Sequence, residues 1–132
     1  MAGWTCVEEI IAYQLAVKLR DKVLALLDAG TIPFNFDLRD QIASSARSAP
    51  ANISEGFDRY AHGQFGYHTG VAKGSLAELK THLREAHERG FLDNETFADL
   101  LKLLVETKKT TSGLLKHLKR TEAPKPWSRT KQ

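Results

Sequence analysis

The stretch SAPANISEGFDRY, residues 48–60, places a proline inside a long amphipathic pattern. Pro50 has no backbone N–H and crowds the carbonyl of Ala46, which usually ends or kinks a helix at a cost of about 3 kcal/mol. The apolar residues around it nevertheless keep a spacing of three or four residues without losing phase. They are Leu38, Ile42, Ala46, Ala49, Ile53 and Phe57. This unbroken phase predicts one helix kinked at Pro50 rather than two elements joined by a loop.

Three further segments show the same helical spacing, and no segment predicts a strand. The predicted helices cover residues 7–29, 36–59, 64–89 and 94–119, and Pro124 and Pro126 exclude a helix beyond them. Because the connections are short, successive helices are expected to run antiparallel. The sequence therefore predicts an all-α fold, an up-down-up-down antiparallel four-helix bundle over residues 1–120, followed by a flexible basic tail over residues 121–132.

The ends of the predicted helices carry residues that are typical of helix termini. Asn35 is a candidate N-cap of the second helix, and Asp93 or Asn94 is a candidate N-cap of the fourth. Gly30 and Gly90 are candidate stops of the first and third helices.

Small residues form two faces of these helices. Between Ala43 and Gly56, nine of fourteen residues are Ala, Ser or Gly. Gly66, Gly70 and Gly74 recur every four residues in the third helix, although each glycine costs a helix up to about 1 kcal/mol. Both faces therefore predict close helix contacts, within or between subunits. The alternative is that the third helix begins only after Gly70.

Positive charge is concentrated at the C-terminal end of the chain. The net charge of the 132 residues is +3, but from Lys102 onward there are nine basic and two acidic residues. A basic end of this kind attracts polyanions, and it is also typical of a solvated helix face. The candidate phosphate contacts are Lys108, Lys109, Lys116, Lys119, Arg120, Lys125 and Arg129.

No pattern in the sequence predicts catalysis. A di-iron bundle needs Glu-x-x-His pairs, and no glutamate is followed by histidine at that spacing. Phosphate-binding loops, paired Cys-x-x-Cys motifs and nucleophile elbows are also absent. We therefore expect no catalytic residues, no metal, no cofactor and no small-molecule substrate. No apolar run approaches the ~20 residues that span a membrane, and the single cysteine favours a reducing cytoplasm.

Two segments of the chain resemble a known family. QIASSARSAPANISEGFDR (residues 41–59), followed by GQFGYHTGVAKGSLAELKTHL (residues 63–83), is similar to the family named after proteins encoded in intervening sequences of bacterial 23S rRNA genes. The residues that carry the motif are Pro50, Asn52, Glu55, Gly56, Arg59, Gly74, Ser75 and Glu78.

The resemblance implies a four-helix bundle that assembles as a ring-like homopentamer and has no enzymatic activity. A related bundle is an accessory protein of diversity-generating retroelements, where it binds reverse transcriptase and nucleic acid. Members of the family commonly carry a basic pair just after the glutamine that matches Gln41, where this chain has Ala43 and Ser44. If that pair contacts nucleic acid in other members, this chain lacks the contact at those two positions.

The leading hypothesis is a non-catalytic homo-oligomer, a pentamer by resemblance, that binds RNA or DNA through basic surfaces. The alternative is a protein–protein scaffold without nucleic-acid binding, and a third hypothesis is an enzyme with a pocket around Asn52, Glu55 and Arg59. For the motif itself, we expect Asn52, Glu55, Arg59 and Ser75 to form one polar cluster that fixes how the second and third helices cross. Gly56 would allow the two helices to approach.

Overall fold

Four helices make up the computed structural model, which describes residues 3–34 and 37–121 and, of His62, the backbone alone. Two single 3-10 turns, Val7–Glu9 and Tyr60–His62, precede and interrupt the helices. The helices are α1 (Ile11–Asp28), α2 (Asp37–Asp58), α3 (Phe65–Glu88) and α4 (Asn94–Thr121). Each helix packs against the next, and α1 packs against α4, which closes the bundle. The described residues contain no strand, and the prediction of an all-α four-helix bundle is confirmed.

All four helices contribute to one hydrophobic core. Val23, Ile42, Leu76 and Leu104, one from each helix, are completely buried. Full burial of a side chain of this size stabilises the folded state by roughly 1.5–3 kcal/mol, so the three-to-four spacing of such residues is enough to bring the helices together. None of the described helices is both long enough and apolar enough to cross a membrane.

Helix α2 continues without interruption through Pro50. The proline ring is buried, as is Ala49 before it, and Ala46 and Ile53 keep the same face of the helix in the core on either side. The prediction of one helix rather than two elements joined by a loop is therefore confirmed, whereas the kink itself stays a prediction.

Gly70 and Gly74 of α3 make no close contact with another helix of the same chain. A Cβ atom built on Gly70 or on Gly74 would meet no other atom within 4 Å. Gly74 is exposed and Gly70 half-buried, because the core face of α3 is formed by other residues, among them Ala72 and Leu76. A close contact of Gly70 and Gly74 with another subunit stays a prediction. The alternative start of the third helix after Gly70 is wrong, because α3 begins at Phe65.

Three of the predicted helix ends are formed by the residues expected, and one of them is Gly30, which follows α1 with φ of 81°. The backbone N–H of Thr96 donates to Oδ1 of Asp93 at 2.7 Å, which caps α4 and holds the pKa of Asp93 below its ordinary value of 3.8. Gly90 follows α3 with φ of 84°, a conformation that glycine adopts without strain. The N–H of Phe91 then donates to the carbonyl of Ala86 at 2.9 Å, which satisfies one of the last free carbonyls of the helix.

The first helix begins later than predicted. Ile10 is extended, with φ of −83° and ψ of 120°, so the turn Val7–Glu9 is separated from α1, which begins at Ile11 rather than near Val7. A local turn competes with the helix here, because the Glu9 carboxylate accepts hydrogen bonds from the N–H and the hydroxyl of Thr5 at 2.9 and 2.7 Å. The N–H bond is the main reason why the pKa of Glu9 is lowered.

At the other end, α4 runs to Thr121, one residue into the segment that was assigned to the tail. Residues 122–132, and with them the predicted tail, lie outside the described residues, as does the candidate cap Asn35.

Candidate functional site

A chain of hydrogen bonds joins α2 to α3 beside Pro50. Nδ2 of Asn52 donates to the carbonyl oxygen and to Oγ of Ser48 at 2.9 and 3.1 Å. Oγ of Ser48 lies 2.7 Å from Oγ of Ser75, whose hydroxyl donates to the carbonyl of Val71 at 3.2 Å. Among these bonds, the one between Ser48 and Ser75 crosses from α2 to α3, and either hydroxyl can be its donor. The other bonds each lie within one helix.

His68 extends this chain on the side of α3. Its Nδ1 atom lies 3.3 Å from Oδ1 of Asn52. A carboxamide oxygen can only accept, so Nδ1 carries the proton that is donated in this contact. Asn52 thus uses both ends of its side chain, one towards Ser48 within α2 and one towards His68 on α3. Ser75 is almost completely buried, and Ser48, Asn52 and His68 are half-buried.

Glu55 and Arg59 do not belong to this chain. Nε of Arg59 donates to Oε2 of Glu55, and a terminal nitrogen of Arg59 donates to Oε1 of Gln64 at 3.3 Å. No hydrogen bond joins either residue to Asn52 within the described part of the chain. Their side chains are 47% and 51% exposed, so the pair contributes no more than about 0.5 kcal/mol. The expectation of one cluster containing all four residues is therefore wrong for these two.

At Gly56, the contact between α2 and α3 leaves no room for a side chain. A Cβ atom there would lie 2.8 Å from Cβ of His68, 3.0 Å from Cδ1 of Phe65 and 3.2 Å from the carbonyl oxygen of Phe65. Two of these atoms belong to the backbone or are attached directly to it, so they cannot swing away. The structure thus places Gly56 where the approach of the two helices requires a glycine.

The other motif residues lie apart from this contact. Pro50 is buried in α2, whereas Gly74 and Glu78 lie on the exposed side of α3. Glu78 forms no ion pair with any described residue.

Three residues of this site were not predicted: the link residue Ser48, the ring of His68, and Gln64. The spacing of Ser48 and Asn52, four residues apart on one helix, is compatible with a side-chain contact. Nothing local in the sequence indicates that His68 lies opposite Asn52, because that contact depends on the register between two helices.

A second candidate site is the C-terminal half of α4, which we call the basic strip and define as Lys108, Lys109, Lys116, Lys119 and Arg120. Between Lys108 and Thr121 there is no acidic residue. Lys108 is half-buried and the other four are exposed, and none of the five is ion-paired among the described residues. The strip is roughly 18 Å long at the rise of an α-helix. The remaining candidates, Lys125 and Arg129, lie outside the described residues.

The described residues contain no group of three or more His, Cys, Asp or Glu side chains that could hold a metal ion. The geometry that is present offers a fixed crossing between α2 and α3 and an unpaired row of cations on α4. An unpaired row of cations attracts polyanions.

The link between the helices predicts the effect of removing one hydroxyl. Ser75→Ala should lower the free energy of unfolding by about 1–2 kcal/mol, because it leaves the half-buried Ser48 hydroxyl without its partner on α3. Urea unfolding measures this, with Ser44→Ala on the exposed side of α2 as the matched control, expected within about 0.5 kcal/mol of the parent. Equal midpoints for the two variants would contradict the role of the link.

Comparison with known proteins gives a result for the greater part of the chain. The model of the family described as 23S rRNA-intervening sequence protein matches residues 8–113, from the turn before α1 into the basic strip. No curated protein matches the chain. The matched segment includes the whole α2–α3 crossing with its Ser48–Asn52–Ser75 link and Gly56. The chain belongs to the family of 23S rRNA-intervening sequence proteins.

Proposed function

We propose that this protein is a non-catalytic homo-oligomer that binds RNA or DNA through the basic strip of α4. The observation that carries the proposal is the row of five cations, none of them ion-paired among the described residues, along a stretch from Lys108 to Thr121 that contains no acidic residue. Cations that are already ion-paired gain little from a phosphate, whereas unpaired ones release condensed counterions from the polyanion when they bind.

The assembly surface that we propose is the outward side of α2 and α3. On α2, a shallow groove is lined by the small side chains of Ala43, Ser44 and Ala51. On α3, Tyr67 is 56% and Val71 36% exposed. Small residues let another helix approach, and the two larger apolar side chains gain from burial, so this face is suited to a second copy of the chain.

The position of this face in the bundle is compatible with nucleic-acid binding by the same particle. Helix α2 packs against α1 and α3, and α4 packs against α1 and α3, so α2 and α4 are diagonal to each other. An assembly through α2 and α3 would leave the solvent side of α4 free. A ring of five, as the family resemblance implies, would present five basic strips. We expect the ring to act in the cytoplasm, where the free thiol of Cys6 would stay reduced.

Assembly predicts a particle mass well above that of one chain. Light scattering on a sizing column should give a multiple of 14.7 kDa, five times that mass if the ring forms. Val71→Glu should reduce the mass to that of the monomer, because it buries a charge without a partner in the interface. Val105→Glu, which changes an exposed valine of α4, is the matched control and should leave the mass unchanged. A parent protein that is monomeric at micromolar concentration would contradict the ring.

Nucleic-acid binding predicts a steep salt dependence of affinity. With five phosphate contacts, the slope of log affinity against log salt should be about −3.5 for a single strand and about −4.5 for a duplex, per strip engaged. Lys109→Gln with Lys116→Gln should make the slope shallower by about 1–2. Lys18→Gln with Lys22→Gln removes the same charge from exposed positions of α1 and should leave the slope nearly unchanged.

A flat slope in the parent protein, or no binding at low salt, would contradict the nucleic-acid part of the proposal. A pull-down from lysate with and without nuclease separates nucleic-acid binding from a protein–protein scaffold. A protein partner that stays bound after nuclease treatment would favour the scaffold function.

A further inference from the structure

A second surface feature lies directly beside the basic strip. The α1–α4 groove, as we call it, is lined by Trp4, Ile11, Thr110, Leu114 and His117 and has a volume of about 300 Å³. Ile11, the first residue of α1, is 57% exposed, whereas the residues on the core face of that helix are buried. Apolar side chains are thus presented to solvent next to a row of cations.

The floor of the groove is held in place by aromatic contacts. The indole of Trp4 packs edge-on against the ring of Phe65, with centroids 6.1 Å apart, and against the imidazole of His117 at 6.2 Å. Phe65 is completely buried, so Trp4 is anchored to the core on one side while it lines the groove on the other. A rigid aromatic surface of this kind is ready to receive a planar ring without an ordering cost.

We propose that the α1–α4 groove accepts one unpaired base of an RNA or DNA strand whose phosphates lie along the basic strip. This inference rests on the proposed function. On α4, Lys109 directly precedes Thr110 and Lys116 directly precedes His117. A residue of the basic strip is thus adjacent to a residue of the groove at two levels, seven residues apart. Adjacent residues of a helix point about 100° apart, which places the groove on the flank of the strip at both levels.

Charge and chemistry favour a base over other apolar occupants. The cations flank the groove on α4, so its occupant should carry negative charge beside an apolar ring, as a nucleotide does. The Thr110 hydroxyl and the His117 imidazole offer hydrogen bonds to the edge of a base. The volume suits one ring system rather than a stack. A duplex keeps its bases paired and stacked inside, so the groove gives a preference for single strands.

Trp4 reports directly on the proposed occupant. The chain has two tryptophans, so the Trp127→Phe variant leaves Trp4 as the sole indole fluorophore. In that background, a short oligouridylate should quench the fluorescence of Trp4. An abasic strand of the same length, which offers the same phosphates, should bind about 10-fold more weakly and leave the fluorescence unchanged. A duplex should bind without quenching.

A matched pair of variants tests the groove without touching the strip. Ile11→Ser should weaken oligouridylate binding several-fold and leave binding of the abasic strand unchanged. Val105→Ser, which alters an exposed valine of α4 that does not line the groove, should change neither. Equal affinity for the base-bearing and abasic strands, with unchanged Trp4 fluorescence, would overturn the base site and leave phosphate binding intact. Failure of every strand to bind would overturn both the base site and the proposed function.

Discussion

Phe65→Ala is expected to lower the free energy of unfolding by about 3–5 kcal/mol. The Phe65 side chain is completely buried at the first position of α3. Three rings surround it edge-on, with centroid distances of 6.1 Å to Trp4, 5.9 Å to Phe57 and 5.3 Å to Tyr60. Truncation would leave a cavity among rigid rings that cannot collapse into it, and it would remove three aromatic pairs that contribute about 0.5–1.5 kcal/mol each beyond their burial.

The effect should extend beyond stability, because Phe65 joins parts of the chain that are distant in sequence. Trp4 belongs to the segment before α1, Phe57 to the end of α2, and Tyr60 to the 3-10 turn that leads into α3. Loss of the central ring should therefore release Trp4, which would be seen as a red shift of its fluorescence in native buffer when Trp127→Phe leaves it as the sole tryptophan.

Phe34→Ala is the matched control for this substitution. Phe34 is 77% exposed and contacts the guanidinium of Arg39, which lies 4.2 Å from the centre of its ring. An exposed cation–π contact contributes about 0.5–1 kcal/mol, so the control should lose no more than that. If urea unfolding gave similar losses for both variants, the cluster around Phe65 would not be the anchor of this end of the bundle.

The fold could be predicted from this sequence because its signals are local. The period of apolar residues in α2 passes through Pro50, and the structure contains one helix there, since a buried face is maintained by Ala46 and Ile53 on either side. The helix ends at Asp93 and Gly90 follow from cap chemistry that involves only neighbouring residues. Neither feature requires knowledge of how the helices are arranged.

The polar link could not be predicted in full, because it depends on the register between α2 and α3. Ser48 and Ser75 are 27 residues apart, and His68 lies 16 residues from Asn52. Glycines inside helices of similar pattern also have different surroundings. Gly56 faces the neighbouring helix, whereas Gly70 and Gly74 have open space around them. A helical glycine signals a close approach only when it faces a neighbouring element, and sequence periodicity alone does not decide which small residue does so.

Gly56→Leu should destabilise the protein by about 3 kcal/mol or more, the second of the two largest effects that the structure predicts. The Cβ atom of the new side chain alone would lie 2.8 Å from Cβ of His68 and 3.2 Å from the carbonyl oxygen of Phe65. Both of these atoms are held in place by the backbone of α3. The helices must separate to admit it, and the gain of up to about 1 kcal/mol from replacing a helical glycine cannot offset that. Gly113→Leu is the matched control, because Gly113 lies in α4 with no atom within 4 Å of its Cβ position, and it should be neutral or stabilising.

A double-mutant cycle shows whether the strain at Gly56 acts through the separation of α2 and α3. The bond between Ser48 and Ser75, 2.7 Å long, requires the two helices to stay close. If Gly56→Leu forces them apart, that bond is already lost, and adding Ser75→Ala should cost clearly less in the Gly56→Leu variant than in the parent. Full additivity of the two losses would mean that α2 and α3 keep their distance at Ser48 and Ser75 and that the clash is relieved by a local shift of the backbone around Phe65 and His68. The cycle therefore tests whether Gly56 and the polar link act on the same helix crossing.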